Sequence, residues 1–250
     1  MEFMIEKLLG FILVVTRLSA FFLVLPVFGW KSIPMRIKAS MTILTGIFFS
    51  MITRLPFDAS KIHELEAGLL IANEALYGLA LGLTASLVFS AVKLSGRIIE
   101  RQMGMAMAQV LDPLTGDRAQ PLSSLLEMIF IILFLSANGH HLLLLIIARS
   151  YESFPLGRIP EISLLTGGVI KAGSVMLLAG LRMSAPLLAA FLLLMVVLGV
   201  LARVVPEMNI LFISLPLRVG LGLLMVVIFL PLISKFVSEF AGWMGEVLVL

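Results

Sequence analysis

Residues 8–28 read LLGFILVVTRLSAFFLVLPVF, 21 positions in which one charge, Arg17, sits in the middle. A run of about 20 apolar residues wound as a helix matches the roughly 30 Å hydrocarbon core of a bilayer, so this stretch is expected to span it. An ionised side chain at mid-bilayer costs about 2.5 to 3.5 kcal/mol even on a lenient scale, which makes the surroundings of Arg17 the first thing to explain. Glu74, Lys171, Arg182 and Arg218 lie inside apolar runs in the same way. Two explanations stay open. The charges sit at contacts between subunits or beside a wet cavity, shielded from lipid, or they snorkel to the headgroups, which suits Glu74 and Lys171 near the ends of their runs.

The rest of the chain extends the same theme. Hydrophobic residues fill 60% of the 250 positions and charged ones 13%, with a mean hydropathy of +1.14, far from the mix of a soluble domain. The class read from this is all-α, with membrane-associated helical hairpins. A net charge of +3 with scattered basic residues gives no basic patch for nucleic acid. Without cysteine there is no disulfide framework, thiolate chemistry or cysteine-based metal site. The start, Met1 to Lys7, leads into an apolar run too long for a signal-peptide core, and a retained first helix is expected.

Along the chain, residues 29–34 (GWKSIP) break the first run. The next run, 39–52, has only 14 residues and reads as a half-penetrating or protein-covered helix. The run 67–94 holds Gly78 and Gly82, a small-xxx-small spacing that lets another helix come close. Ser124 and Glu127 have the spacing of a capping box at the start of a helix that continues to Arg149. Residues 169–201 would measure about 50 Å as one helix, and Pro186 is expected to bend or break it. A last run, 210–232, leads into an amphipathic tail with Ile233, Phe236 and Val237 on one face and Lys235 and Glu239 on others.

Residues 96–121, GRIIERQMGMAMAQVLDPLTGDRAQP, form the longest polar interruption. Met103, Met105 and Met107 alternate with Gly104 and Ala106, which on an extended segment puts three deformable thioethers on one side. They either pack on neighbouring helices or line a surface that must close and yield. Asp112-Pro113 and Thr115-Gly116-Asp117 read as turns, so the segment is expected to be a re-entrant or exposed loop, with turn formation rather than paired-carboxylate chemistry for its two acids.

Catalytic and cofactor signals are missing from the sequence. Adjacent His140 and His141 point about 100° apart on a helix and do not chelate one ion; a polar pair at a helix interface is expected. No phosphate-binding glycine loop, nucleophile elbow or Ser, His and acid set is recognisable. The chain is therefore read as no enzyme, with no cofactor and no metal.

Over nearly its whole length the sequence resembles the FliR family, membrane components of the bacterial flagellar type III protein-export gate related to the injectisome SctT proteins. The resemblance is carried by TRLSAFFLVLPVFGWKSIP (16–34), LSGRIIERQMG (94–104), Asp112-Pro113, LFLSANGHHLLL (133–144) with Ser150 and Pro155, and PEMNILFISLPLRVGLGL (206–223), in that order and spacing. It implies a hetero-oligomer with FliP-like, FliQ-like and FlhB-like subunits in the bacterial inner membrane at the flagellar basal body, passing unfolded flagellar export substrates. It also implies a FliP-like part over 1–165 and a FliQ-like hairpin over 166–250. The loop between the central helices becomes a pore plug or gate, carried here by Met103, Gly104, Met105, Met107, Asp112, Pro113 and Gly116, with Arg17, Glu74, Arg182 and Arg218 as buried charges at subunit contacts. The rival reading is a secondary transporter or channel for a small solute, motivated by charged, proline-broken helices.

Overall fold

Seven helices account for almost all of the described chain: α1 (Glu2–Val24), α2 (Met35–Ile52), α3 (Glu64–Gln102), α4 (Pro121–Ser136), α5 (Gly139–Ser153), α6 (Ile162–Val204) and α7 (Ile210–Val247). The structure, a computed structural model, describes residues 2–26, 34–53, 63–105, 120–157, 162–207 and 209–247. No strand occurs among the described residues, and the all-α class holds. Among the described residues five helices are long and apolar enough to cross a membrane, six spans if the interrupted α4–α5 pair counts as one.

Three expectations about helix length change. The 39–52 run is not a stub: α2 starts at Met35, takes in Ile37, and reaches 18 residues, enough to span. Residues 162–204 form one unbroken helix of 43 residues with Pro186 inside it. A proline forfeits one backbone donor and crowds the preceding turn. In a long apolar helix whose other bonds all lie within the segment, that local loss leaves the helix continuous. α7 likewise runs through Pro216 and Pro231 and continues into the expected tail without a break. In that tail Ile233 and Val237 are buried and Lys235 is exposed, as the amphipathic pattern requires.

The single helix expected to continue to Arg149 is instead two, bent by 74°: α4 and α5 are separated at Asn138, the only described non-glycine residue with positive φ (60°). Asparagine tolerates this left-handed geometry better than most side chains, which accounts for a short stop in an otherwise apolar helical sequence.

The chain divides into two compact units, residues 1–88 with 138–174 and 240–250, and residues 89–137 with 175–239. In the first unit α1 lies backbone-close to α3: a Cβ at Gly78 would strike the Arg17 carbonyl and the Ala20 side chain, and one at Gly82 would meet the Phe21 carbonyl and Val24. The small-xxx-small pair thus does what its spacing indicates. Leu13, Val14, Leu18 and Phe21 of α1 are buried with Tyr77 of α3 and Leu143, Ile146 and Ile147 of α5. In the second unit Phe89 stands edge-on to Phe130 and Phe134, with centroids 5.4 and 5.2 Å away, and Gly96 lies against Ser123.

Burial is uneven along the sequence. In the apolar window of α3 56% of residues are buried, against 17% in those of α6 and α7 and 11% in that of α2. Helices that are apolar all round yet exposed must meet lipid or other chains.

Candidate functional site

The charge that opened the sequence question has a partner inside the chain. Arg17 is 1% exposed, and its Nε donates to Glu74 Oε2 at 2.6 Å; Glu74 is 0% exposed. Glu74 therefore does not snorkel. The other guanidinium nitrogens reach the end of α5: Nη1 donates to the Ser150 carbonyl at 3.2 Å and its hydroxyl oxygen at 3.3 Å, and Nη2 to the Phe154 carbonyl at 3.1 Å. Glu74 Oε1 accepts from the Gly157 N–H at 3.1 Å, in a turn where Gly157 has φ +78°. The guanidinium carbon lies 4.5 Å from the Tyr151 ring centroid and 5.1 Å from that of Tyr77. Five polar contacts and two aromatic faces thus tie α1, α3 and the α5 terminus at one buried point. This arrangement fixes backbone; it leaves little of the cation free to bind a ligand.

The second centre is the base of the 103–121 segment. At the end of α3 the Met105 N–H donates to the Glu100 carbonyl (3.2 Å) and the Gly104 N–H to the Arg101 carbonyl (3.2 Å), with Gly104 at φ +78°. This paired closure with a left-handed glycine is a Schellman stop, which satisfies the last carbonyls of the helix. Met103 and Met105 are therefore not alternating positions of an extended strand, because both lie in the stop itself. Met103 is 1% exposed and seated against Gly222 of α7, where a Cβ would collide with its sulfur; a Cβ on Gly104 would meet Leu215 of the same helix. For Met103 the packing alternative prevails. Met107, Asp112, Pro113 and Gly116 lie outside the described residues.

The returning end of the segment is held by the same helix. Leu122 and Ser123 N–H groups donate to Glu100 Oε1 at 2.6 and 3.0 Å, and the Ser123 hydroxyl donates to Oε2 at 2.9 Å. Glu100, 6% exposed, thus caps α4 from outside. Arg97 Nε adds a bond to Gln120 Oε1 at 2.7 Å. The expected capping box is overturned: α4 begins at Pro121, so Ser124 already lies inside it, and the side chain of its cap residue Gln120 makes no bond to the N–H groups of the first turn. Glu127 instead pairs with Lys93 at 2.9 Å.

Two signals for these partners were present in the sequence. Glu74 is the one acid among five misplaced charges, so it was the natural counter-ion for one of the cations. Glu100 sits in the last turn of its helix, where the dipole disfavours an anion, and so needed donors from elsewhere. The other singled-out residues are spread apart. Arg182 and Lys171 are exposed, and Arg218 is half-buried with a buried Nε that has no acceptor. His140 is half-buried and His141 exposed, their rings 4.2 Å apart at a 42° tilt. No group of three or more potential metal ligands occurs among the described residues.

Comparison with known proteins follows the same lines. The family model for bacterial export proteins, family 1, matches residues 8–242. The flagellar biosynthetic protein FliR of Bacillus subtilis is 32% identical over 246 residues, which is 96% of this chain and 93% of that one. FliR of Escherichia coli is 31% identical over 220 residues (88% and 84%), and that of Aquifex aeolicus 28% over 240 (95% and 90%).

Proposed function

Because the chain belongs to the bacterial export proteins, family 1, we propose that it builds part of the wall of a flagellar type III export conduit and supplies the segment that closes it. Its family and its apolar helices make it a membrane-embedded component of the flagellar export apparatus. In the finer reading it sits in the inner membrane at the basal body beside FliP-like, FliQ-like and FlhB-like chains. Unfolded flagellar proteins pass through the assembly.

The observation that carries the gating role is the construction of the loop base. A segment that must yield to cargo and return needs roots that do not move with it. Here both roots are fixed to one helix end, by the Schellman stop at Gly104 and by the Glu100 cap on α4. Between them lie residues 106–119, with Met107 and the Asp112-Pro113 and Gly116 turns. The exposed Arg182 and the unmet Nε of Arg218 suit contacts with neighbouring subunits, because a buried cationic donor without an acceptor is expensive to leave unmade.

The test leaves the buried root intact. Met105 and Met107 are replaced by Ala, or residues 108–117 are shortened, with Met103 retained. Ion leakage across the membrane and export of flagellar subunits are then measured. Raised leakage with export retained is expected. Unchanged leakage and export in both variants removes the plug assignment.

A further inference from the structure

Between α1 and α2, in the first unit, lies an apolar groove of about 320 Å³ whose lining includes Ser19, Phe22, Leu23, Lys38, Thr42 and Ile43. Its hydroxyls are already engaged: Ser19 donates to the Thr16 carbonyl at 2.9 Å and Thr42 to the Lys38 carbonyl at 2.8 Å. Among the described residues the Lys38 ammonium, on a half-buried side chain, meets neither an ion-pair partner nor a hydrogen-bond acceptor. What complements this surface is therefore an apolar body carrying one anionic group.

Geometry narrows the occupant. α2 is an 18-residue helix, about 27 Å long, close to the hydrocarbon thickness. Lys38 lies one turn from its N-terminal end, beside the exposed Arg36, at the level where headgroup phosphates of a spanned bilayer lie. The helix is nearly bare, with 11% of its residues buried, and Leu23 and Met35 at the groove are 70% and 73% exposed. We infer that this groove binds one anionic phospholipid, its acyl chain lying between α1 and α2 and its phosphate paired with Lys38. The site is independent of the gating loop.

Native mass spectrometry of the full-length chain, alone and in the export complex copurified with it, reads this out with dioleoyl-phosphatidylglycerol and dioleoyl-phosphatidylcholine as probes. The wild-type chain is expected to retain the anionic lipid about tenfold more strongly than the zwitterionic one, and Lys38→Gln to lose that preference. Ala39→Trp, at an exposed groove position, is expected to expel both lipids while helicity by circular dichroism is unchanged. Equal retention by wild type and Lys38→Gln overturns the proposal. So does displacement by millimolar inorganic phosphate, which would mark a simple anion site, or absence of lipid from the complex when the isolated chain binds it, which would mark a protein partner in the groove.

Discussion

α3 carries two buried glutamates that solve the same problem by different means. Glu74 meets a full positive charge, Arg17, and Glu100 meets two backbone N–H groups and a hydroxyl at the start of another helix. The first is a pair of ions, each of which becomes a liability if the other is removed. The second is one ion held by dipoles, whose loss strands only neutral donors. A carboxylate in an apolar helix is thus not one kind of feature, and its consequence depends on whether its partner also carries a net charge.

The largest effect is expected at the ion pair. Glu74→Ala leaves Arg17 buried without its counter-charge and should destabilise the first unit by about 3 to 5 kcal/mol, read as loss of the chain from membranes and a lower unfolding midpoint in detergent. Replacing both partners, as Arg17→Met with Glu74→Leu, should recover most of that loss. A double variant as unstable as either single one would show that the Arg17 bonds to Ser150 and Phe154, rather than the charge balance, dominate. Next comes Glu100→Ala, which strands the first N–H groups of α4 and should cost about 1 to 2 kcal/mol. Amide hydrogen exchange should accelerate at Leu122 and Ser123 and stay unchanged around Ser150. Equal acceleration at both places would abolish the distinction between the two glutamates. The smallest effect belongs to Glu127→Gln: its partner Lys93 is 38% exposed, and a partly solvated pair of this kind is worth about 0 to 1 kcal/mol, measurable as little or no shift in the unfolding midpoint.

What could be read from the sequence was whatever depends on neighbours along the chain. Runs of apolar residues gave helices, and Gly78 and Gly82 gave a close crossing. Local rules misled where a distant group competed. Ser124 and Glu127 have capping-box spacing, but Glu100, brought in from α3, occupies the donors that the box would have used, and Lys93 takes Glu127. The methionine alternation has a two-residue period over five positions, too short to outweigh a Schellman turn that uses Gly104. Pro186 does not break its helix, because one missing donor is small against the remaining bonds of a 43-residue helix. Arg17 and Glu74 are each conspicuous in the sequence, yet their partnership required α1 and α3 to be laid together.

The length of α6 has a consequence for where its residues can reside. Measured along its axis it is about 65 Å, and to fit wholly within a 30 Å hydrocarbon layer it would have to lean by about 60°, whereas spanning helices incline by roughly 0 to 40°. Part of it must therefore stand outside the acyl region. Between Arg182 and Arg203 the helix carries no charge for 20 residues, the length of one crossing, which leaves the portion with Lys171 beyond it. The cysteine-free chain turns this into a depth gauge, since Gly167 and Gly199 both have open space where a side chain would go. A water-soluble maleimide is expected to reach Gly167→Cys and to miss Gly199→Cys, and labelling of both to the same extent would place the whole helix at one depth.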